Sequence, residues 1–279
     1  MGVASNRAVN LWSRSSSEID WCEDNYQYSQ YVAEYYNTFS NILFLILPPI
    51  MIYLSRPFSR FITPDINIVW LLLTVVGLGS GYFHATLSYS GQLIDELAIL
   101  WVVAAVVMIA SPKNLMNNRI LNGSRLRLKI IMTIVTIVSS GLMFAAPVLN
   151  AFLLLSLCIP ALAFFVNKVQ SATSWRVVRL IFLSTFWWLL AITCWVNDRV
   201  FCKIWTELGV PYPQLHALWH LLVSVCSYAF IIVAAYYMAL EERPELHPRI
   251  AYWPIDTFEF GIVYVEFVND PITVMDKDD

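Results

Sequence analysis

The sequence predicts an all-α integral membrane protein: a seven-transmembrane-helix bundle with a lumenal N-terminus and a cytosolic C-terminus. Of its 279 residues, 58% are hydrophobic and only 13% are charged, whereas an ordinary soluble domain has about 25% charged residues. The mean hydropathy is +0.62. Seven apolar segments account for this excess, and each is near the roughly 20 residues that cross a bilayer. The surface of such a chain is expected to face mainly hydrocarbon.

The predicted helices follow in chain order, each bounded by residues that break helices. They cover residues 38–54, 66–87, 93–110, 128–146, 148–166, 177–196 and 215–235. Between them lie Pro57 and Pro64, the turn 88–91, Pro112, Pro147, the polar stretch 171–174, and Pro211 with Pro213. The prediction thus divides the chain into an N-terminal segment (1–37), a transmembrane domain (38–238) and a tail (239–279).

The orientation follows from the basic residues, because cytosolic loops carry an excess of Lys and Arg. With a lumenal N-terminus, 13 of the 17 basic residues fall on the cytosolic side and 4 on the other. Residues 1–37 are polar and lack the apolar run of a signal peptide, so the first apolar segment is expected to be the first anchor. The net charge of −3 gives no basis for nucleic-acid binding.

Ionisable residues inside the predicted helices converge at one depth of the membrane, where such residues are costly and mark function. His84 lies four residues after Ser80 near the lumenal end of the second helix, so the two share a helix face. Asp95 begins the third helix at the same level. His216 and His220 are also four residues apart, at the lumenal start of the seventh helix. Three of the four histidines are therefore expected to meet.

Three neutral imidazoles suit a tetrahedral Zn²⁺ ion that keeps its fourth position for water. Zinc lowers the pKa of that water to about 7. Asp95 can accept the proton or orient a histidine, and Ser80 can donate to an oxyanion as it forms. The pattern predicts metal-assisted hydrolysis of an acyl bond in an amphiphile. The alternative is hydrogen-bonded packing, which is the commoner role of a lone intramembrane histidine.

Several runs of the sequence resemble the alkaline ceramidase family. They are IDWCEDN at 19–25, EYYNTFSN at 34–41, GSGYFHATL at 79–87 with Asp95 and Glu96 after it, WVNDR at 195–199 and HALWH at 216–220. The resemblance extends from about Asp20 to Ala239. It implies a seven-helix zinc amidase of the endoplasmic reticulum or Golgi membrane that cleaves ceramide to sphingosine and a free fatty acid.

The resemblance also implies roles for the candidate residues. His84, His216 and His220 are the implied zinc ligands, and Ser80 and Asp95 are expected to assist the bound water and the oxyanion. Ceramide and membrane lipids are the implied partners, and no obligate protein partner is inferred.

A Ca²⁺ site in the lumenal N-terminal segment is implied by the same resemblance. Its ligands map to Asp20, the backbone carbonyl of Trp21, Glu23, Asn25 and Glu34. Calcium prefers several oxygen ligands from a flexible loop, but residues 18–24 alone would read as a solvated acidic stretch. Bound calcium is expected to hold this segment over the helix ends and so stabilise the zinc site indirectly.

Cys22 and Cys202 fall on the same lumenal, oxidising side, where disulfides form. A disulfide between them and two free thiols are both open. Cys158, Cys194 and Cys226 lie in the predicted helices and are expected to pack as apolar residues. Asp198 and Arg199, at the end of the sixth helix, are expected to form an ion pair.

The alternative function is that of a non-catalytic lipid-binding or receptor-like protein of the related seven-helix, zinc-containing superfamily. Such relatives are expected to have the opposite orientation, so the lumenal N-terminus and its acidic segment favour the hydrolase. A retinal protein is excluded, because the predicted seventh helix has no lysine for a Schiff base.

Overall fold

The structure is a computed structural model that describes residues 10–145 and 174–269. The fifth predicted helix (148–166), Pro147, Cys158 and the acidic end of the tail lie outside the described residues. The described helices are α1 (Tyr35–Phe39), α2 (Ile42–Leu54), α3 (Arg56–Phe61), α4 (Asp65–Thr86), α5 (Tyr89–Ala110), α6 (Lys113–Met116), α7 (Arg125–Ala145), α8 (Trp175–Glu207) and α9 (Leu215–Glu242). A 3-10 turn (Pro244–Leu246) and strands β1 (Pro248–Trp253) and β2 (Ile262–Phe267) follow.

Six helices among the described residues are long and apolar enough to cross a membrane: α1 together with α2, then α4, α5, α7, α8 and α9. They correspond to six of the seven predicted segments, and the protein is a multi-pass membrane protein. The ends differ from the prediction. α5 begins four residues earlier, because the Ser88 hydroxyl accepts a hydrogen bond from the backbone N–H of Gly91 at 3.1 Å and caps the helix. α9 continues to Glu242, past the predicted domain boundary at residue 238.

Close packing of α4 against α5 positions the start of α5 at the end of α4. A Cβ atom on Gly79 would lie 3.4 Å from Cα of Asp95, and one on Gly91 would lie only 2.8 Å from Cα of Phe83. Small residues allow such close approach, which is how helices commonly associate within a bilayer. α4 then ends at Leu87, whose φ of 48° is left-handed. The two glycines therefore bring the backbone at Asp95 next to the helix face that carries the candidate histidine.

α8 and α9 pack together, and α9 carries the other two candidate histidines. More than half of the spanning part of α9 is buried, and His216 and His220 lie in its first two turns. α8 has 33 residues and is therefore about 50 Å long. Because a bilayer core is only about 30 Å thick, α8 extends beyond it, and its far end carries Cys202.

The all-α prediction is wrong for the tail, which contains a two-stranded antiparallel sheet. β1 pairs with β2 from Pro248 opposite Phe267 onwards. Tyr228 on α9 donates its hydroxyl to the carbonyl of Val263 at 2.5 Å, and the rings of Phe267 and Phe58 lie 6.5 Å apart. The run 262–267 (IVYVEF) is rich in β-branched and aromatic residues, which is a strand signal.

Candidate metal centre

Residues 10–34, the described part of the N-terminal segment that precedes α1, cover the end of α4. The last carbonyl groups of a helix have no partner within that helix. Here the backbone N–H of Ala33 donates to the carbonyl of Ala85 and that of Glu34 donates to the carbonyl of His84, both at 3.0 Å. This backbone pairing fixes the Glu34 side chain beside the His84 ring.

The structure brings the three predicted histidines together. His84 near the end of α4 and His216 and His220 at the start of α9 each offer one ring nitrogen, and these nitrogens lie within 4.8 Å of one another. All three side chains are buried, with 1% of their surface exposed. A group of buried imidazoles is costly unless its nitrogens have partners, and a shared metal ion supplies one.

Two of the three rings are held by a partner at Nδ1. The Glu34 carboxylate lies 2.5 Å from Nδ1 of His84, and the Ser40 hydroxyl lies 2.7 Å from Nδ1 of His220. In both rings Nε2 is left for the centre of the cluster. Hydrogen bonding at the second nitrogen is how proteins fix the tautomer and orientation of a metal-binding histidine. No sequence signal pointed to Ser40 as a partner of His220, although Ser40 lies within the run 34–41, and the resemblance implied a calcium role alone for Glu34.

His216 is held by stacking. The Trp21 ring lies 3.7 Å from the His216 ring at an interplanar angle of 25°, and Trp219 stacks at 5.1 Å. Nδ1 of His216 is a buried polar atom without a hydrogen-bond partner in the part of the chain that the structure describes. A buried orphan nitrogen in a cluster of three imidazoles fits the donor set of a zinc site. These residues therefore suit the metal that the sequence predicts.

Ser80 and Asp95 differ in how directly they approach this cluster. The Ser80 hydroxyl is buried and lies 3.5 Å from Nε2 of His220, the nitrogen that faces the cluster. Asp95 is half-buried in the second turn of α5, and its backbone packs on Gly79, the residue before Ser80. The structure thus places Ser80 at the cluster and Asp95 on the neighbouring helix wall.

The predicted calcium residues make three sets of contacts. The Asn25 amide donates to both carboxylate oxygens of Asp20, at 3.0 and 3.2 Å. The backbone N–H of Trp21 donates to Glu34 at 3.1 Å. Glu23 is buried and accepts two backbone N–H groups of α1, at 2.6 and 2.8 Å. Burial raises the pKa of Glu34 to about 8, and the neighbouring Asp20 carboxylate adds to the rise. A cation among these carboxylates would offset their repulsion.

Cys22 and Cys202 form a disulfide, with their Cα atoms 5.4 Å apart. The bond joins the N-terminal segment to the far end of α8, one residue after the Trp21 ring that stacks on His216. Cys194 and Cys226 are free and buried, which agrees with their predicted packing role.

The predicted ion pair between Asp198 and Arg199 is wrong. Asp198 accepts hydrogen bonds from the Tyr212 hydroxyl and from the backbone N–H of Cys22, whereas Arg199 donates to a backbone carbonyl of the N-terminal segment at 3.3 Å. Consecutive residues of a helix do not face each other, so the two side chains reach different neighbours. The Tyr212 hydroxyl also accepts the backbone N–H of Leu215 at 3.0 Å, which ties Asp198 to the start of α9.

Comparison with known proteins finds similarity to ceramidases. Residues 13–265 match the ceramidase family. The chain is similar to the alkaline ceramidase of Drosophila melanogaster, with 42% identity over 91% of this chain and 89% of that protein. It is 37% identical to alkaline ceramidase 1 of Homo sapiens, over 94% and 98% of the two chains. Similarity to the alkaline ceramidase of Arabidopsis thaliana is 29% over 78% and 83%.

Proposed function

Because the chain belongs to the ceramidase family, we propose that it hydrolyses the amide bond of ceramide at a zinc ion held by His84, His216 and His220, with the support of calcium. The chain is a ceramidase hydrolase with several helices long and apolar enough to cross a membrane. The zinc assignment is carried by one observation, the cluster of three buried imidazoles whose nitrogens lie within 4.8 Å of one another.

The residues around the cluster support a metal role better than a packing role. Glu34 and Ser40 contact the outer nitrogens of His84 and His220, so both rings present Nε2 to a common centre. The Trp21 and Trp219 rings both stack on the His216 ring. Bound zinc supplies Lewis acidity there, which lowers the pKa of a coordinated water to about 7.

The remaining chemistry falls to Ser80 and Asp95. During hydrolysis, water adds to the amide carbonyl carbon, and the carbonyl oxygen gains negative charge. In the proposal, the Ser80 hydroxyl donates a hydrogen bond to that oxygen. Asp95 accepts the proton of the water and passes it to the amide nitrogen as the C–N bond breaks. Sphingosine leaves as the amine and the acyl group leaves as a free fatty acid.

The proposed calcium site uses Asp20, the carbonyl of Trp21, Glu23, Asn25 and Glu34. Three carboxylates in one short segment repel one another, and hard oxygen donors are what calcium prefers. Glu34 also contacts His84, so calcium at this position would hold the carboxylate that orients a zinc ligand. The topology proposed with this site has seven spanning helices, a lumenal N-terminus and a cytosolic tail, in the membrane of the endoplasmic reticulum or Golgi.

The test combines metal analysis with turnover in purified protein. We expect His84→Ala and His216→Ala to lose bound zinc and ceramide hydrolysis together. His247→Ala is the matched control, because His247 is the fourth histidine and lies exposed in the tail, so it should keep both. Hydrolysis by metal-stripped His84→Ala protein would contradict the mechanism. The receptor-like alternative, which the family match does not favour, predicts that wild-type protein binds ceramide but releases no fatty acid.

A further inference from the structure

The loop between β1 and β2 exposes a cluster of large apolar side chains. We call residues 253–260 the hairpin tip. Trp253, Ile255 and Phe258 are exposed, and Phe260 is 85% exposed. The Phe258 and Phe260 rings lie 6.1 Å apart, so these two side chains form one exposed apolar patch. Contiguous apolar surface of this kind marks a binding face.

Two ion pairs attach the hairpin tip to the beginning of α8. Arg176 binds Asp256 at 2.6 Å, and Arg179 binds Glu259. α8 begins at Trp175 and is one of the helices that can cross the membrane. Two arginines at the start of α8, followed by exposed apolar residues, are typical of a membrane boundary. We therefore expect these contacts to hold the hairpin tip beside that boundary.

Arg179, which pairs with Glu259 of the hairpin tip, lies on the exposed side of α8. Trp175, Arg179, Phe182 and Phe186 are spaced by four, three and four residues, which places them on one helix face. Trp175 is 75% exposed, and Phe182 and Phe186 are exposed as well. Arg179, which binds the hairpin tip, therefore belongs to the row of side chains that meets hydrocarbon further along the helix.

We propose that the hairpin tip inserts into the interfacial layer of the lipid bilayer, on the side of the membrane where α8 begins. Aromatic side chains favour this layer. Both acidic residues of the tip are paired with arginines, so its apolar side chains enter the interface without an unpaired charge. The ion pair between Glu259 and Arg179 places the tip beside the exposed apolar row of α8, which identifies lipid as its occupant. The tail hairpin is then a membrane-anchored cap on the bundle.

The test is a spin label at the tip of full-length protein in lipid nanodiscs that contain one copy each. Phe260→Cys carries the label, and Val268→Cys is the control, because Val268 is exposed at the opposite end of the hairpin. Wild-type protein treated with the same spin label gives the background signal from the native cysteines. Collision rates are measured with oxygen, which partitions into lipid, and with a water-soluble nickel chelate. We expect the tip label to collide several-fold less with nickel and more with oxygen than the control label.

Equal nickel collision rates at the two positions would overturn the proposal, because the tip would then lie in water. Low collision rates with both reagents would also overturn it, because the tip would then be packed on protein. If Phe260→Cys does not fold, Ile255→Cys reports on the same surface and is read in the same way.

Discussion

Glu34→Gln replaces the acidic group at the position where the proposed calcium and zinc sites meet. The Glu34 side chain is fully buried. One of its oxygens accepts the backbone N–H of Trp21, and the other contacts the Asn37 amide at 3.1 Å and Nδ1 of His84 at 2.5 Å. A glutamine has one accepting oxygen and one donating NH2 group. It therefore cannot satisfy donors on both sides.

Each orientation of the glutamine has a defined cost. With its NH2 group towards Trp21, two donors face each other and one stays unpaired. With its NH2 group towards His84, the imidazole must accept at Nδ1, which moves its proton to Nε2, the nitrogen that would bind zinc. Loss of such an orienting partner lowers metal affinity 10- to 100-fold, or about 1.4 to 2.8 kcal/mol. We expect zinc affinity to fall by this amount.

Zinc affinity is measured by chelator competition on purified protein in calcium-free buffer, so that loss of a calcium ligand does not contribute. Glu23→Gln is the matched control. Glu23 is also a buried carboxylate of the N-terminal segment, but its oxygens accept backbone N–H groups of α1. Its replacement should lower stability and leave zinc affinity unchanged. The reasoning fails if Glu34→Gln binds zinc as tightly as wild type, or if Glu23→Gln weakens zinc equally.

Three further predictions concern the surroundings of the site. Asp20→Ala should reduce the calcium stimulation of hydrolysis while zinc stoichiometry stays at the wild-type value; an unchanged calcium response would remove Asp20 from that site. Replacing both Cys22 and Cys202 by serine should lower stability by about 2–4 kcal/mol, measured by chemical denaturation in nanodiscs, and an unchanged midpoint would show that the bond carries no stability. Tyr212→Phe should cost about 1–3 kcal/mol because Asp198 then loses a buried donor; an unchanged thermal midpoint would contradict this role.

The histidine cluster could be predicted from sequence because each histidine lies near the end of a predicted helix on the same side of the membrane. His216 and His220 are one helical turn apart, and a short turn returns α4 into α5, so the ends of the predicted helices already fix a common depth. The contacts of these rings with their outer partners could not be predicted. Glu34 and His84 are 50 residues apart and Ser40 and His220 are 180 apart, and both contacts depend on how the N-terminal segment folds over α4.

The other differences arise where helices leave the membrane. The prediction ends the sixth helix at residue 196, just before the polar residues Asn197 and Asp198, yet α8 continues to Glu207 because a helix can extend from the bilayer into water. The all-α prediction places no strand in the tail, yet its strands pack their apolar residues against Tyr228 of α9 and Phe58 of α3. Hydropathy reports the membrane boundary, and it does not report which structure forms beyond that boundary.

X-ray absorption at the zinc edge tests the central claim most directly. Purified protein that hydrolyses ceramide should contain zinc with three nitrogen neighbours at about 2.0 Å, and His84→Ala protein should contain no zinc. Active protein without zinc, or zinc surrounded by sulfur at about 2.3 Å, would contradict the assignment of His84, His216 and His220.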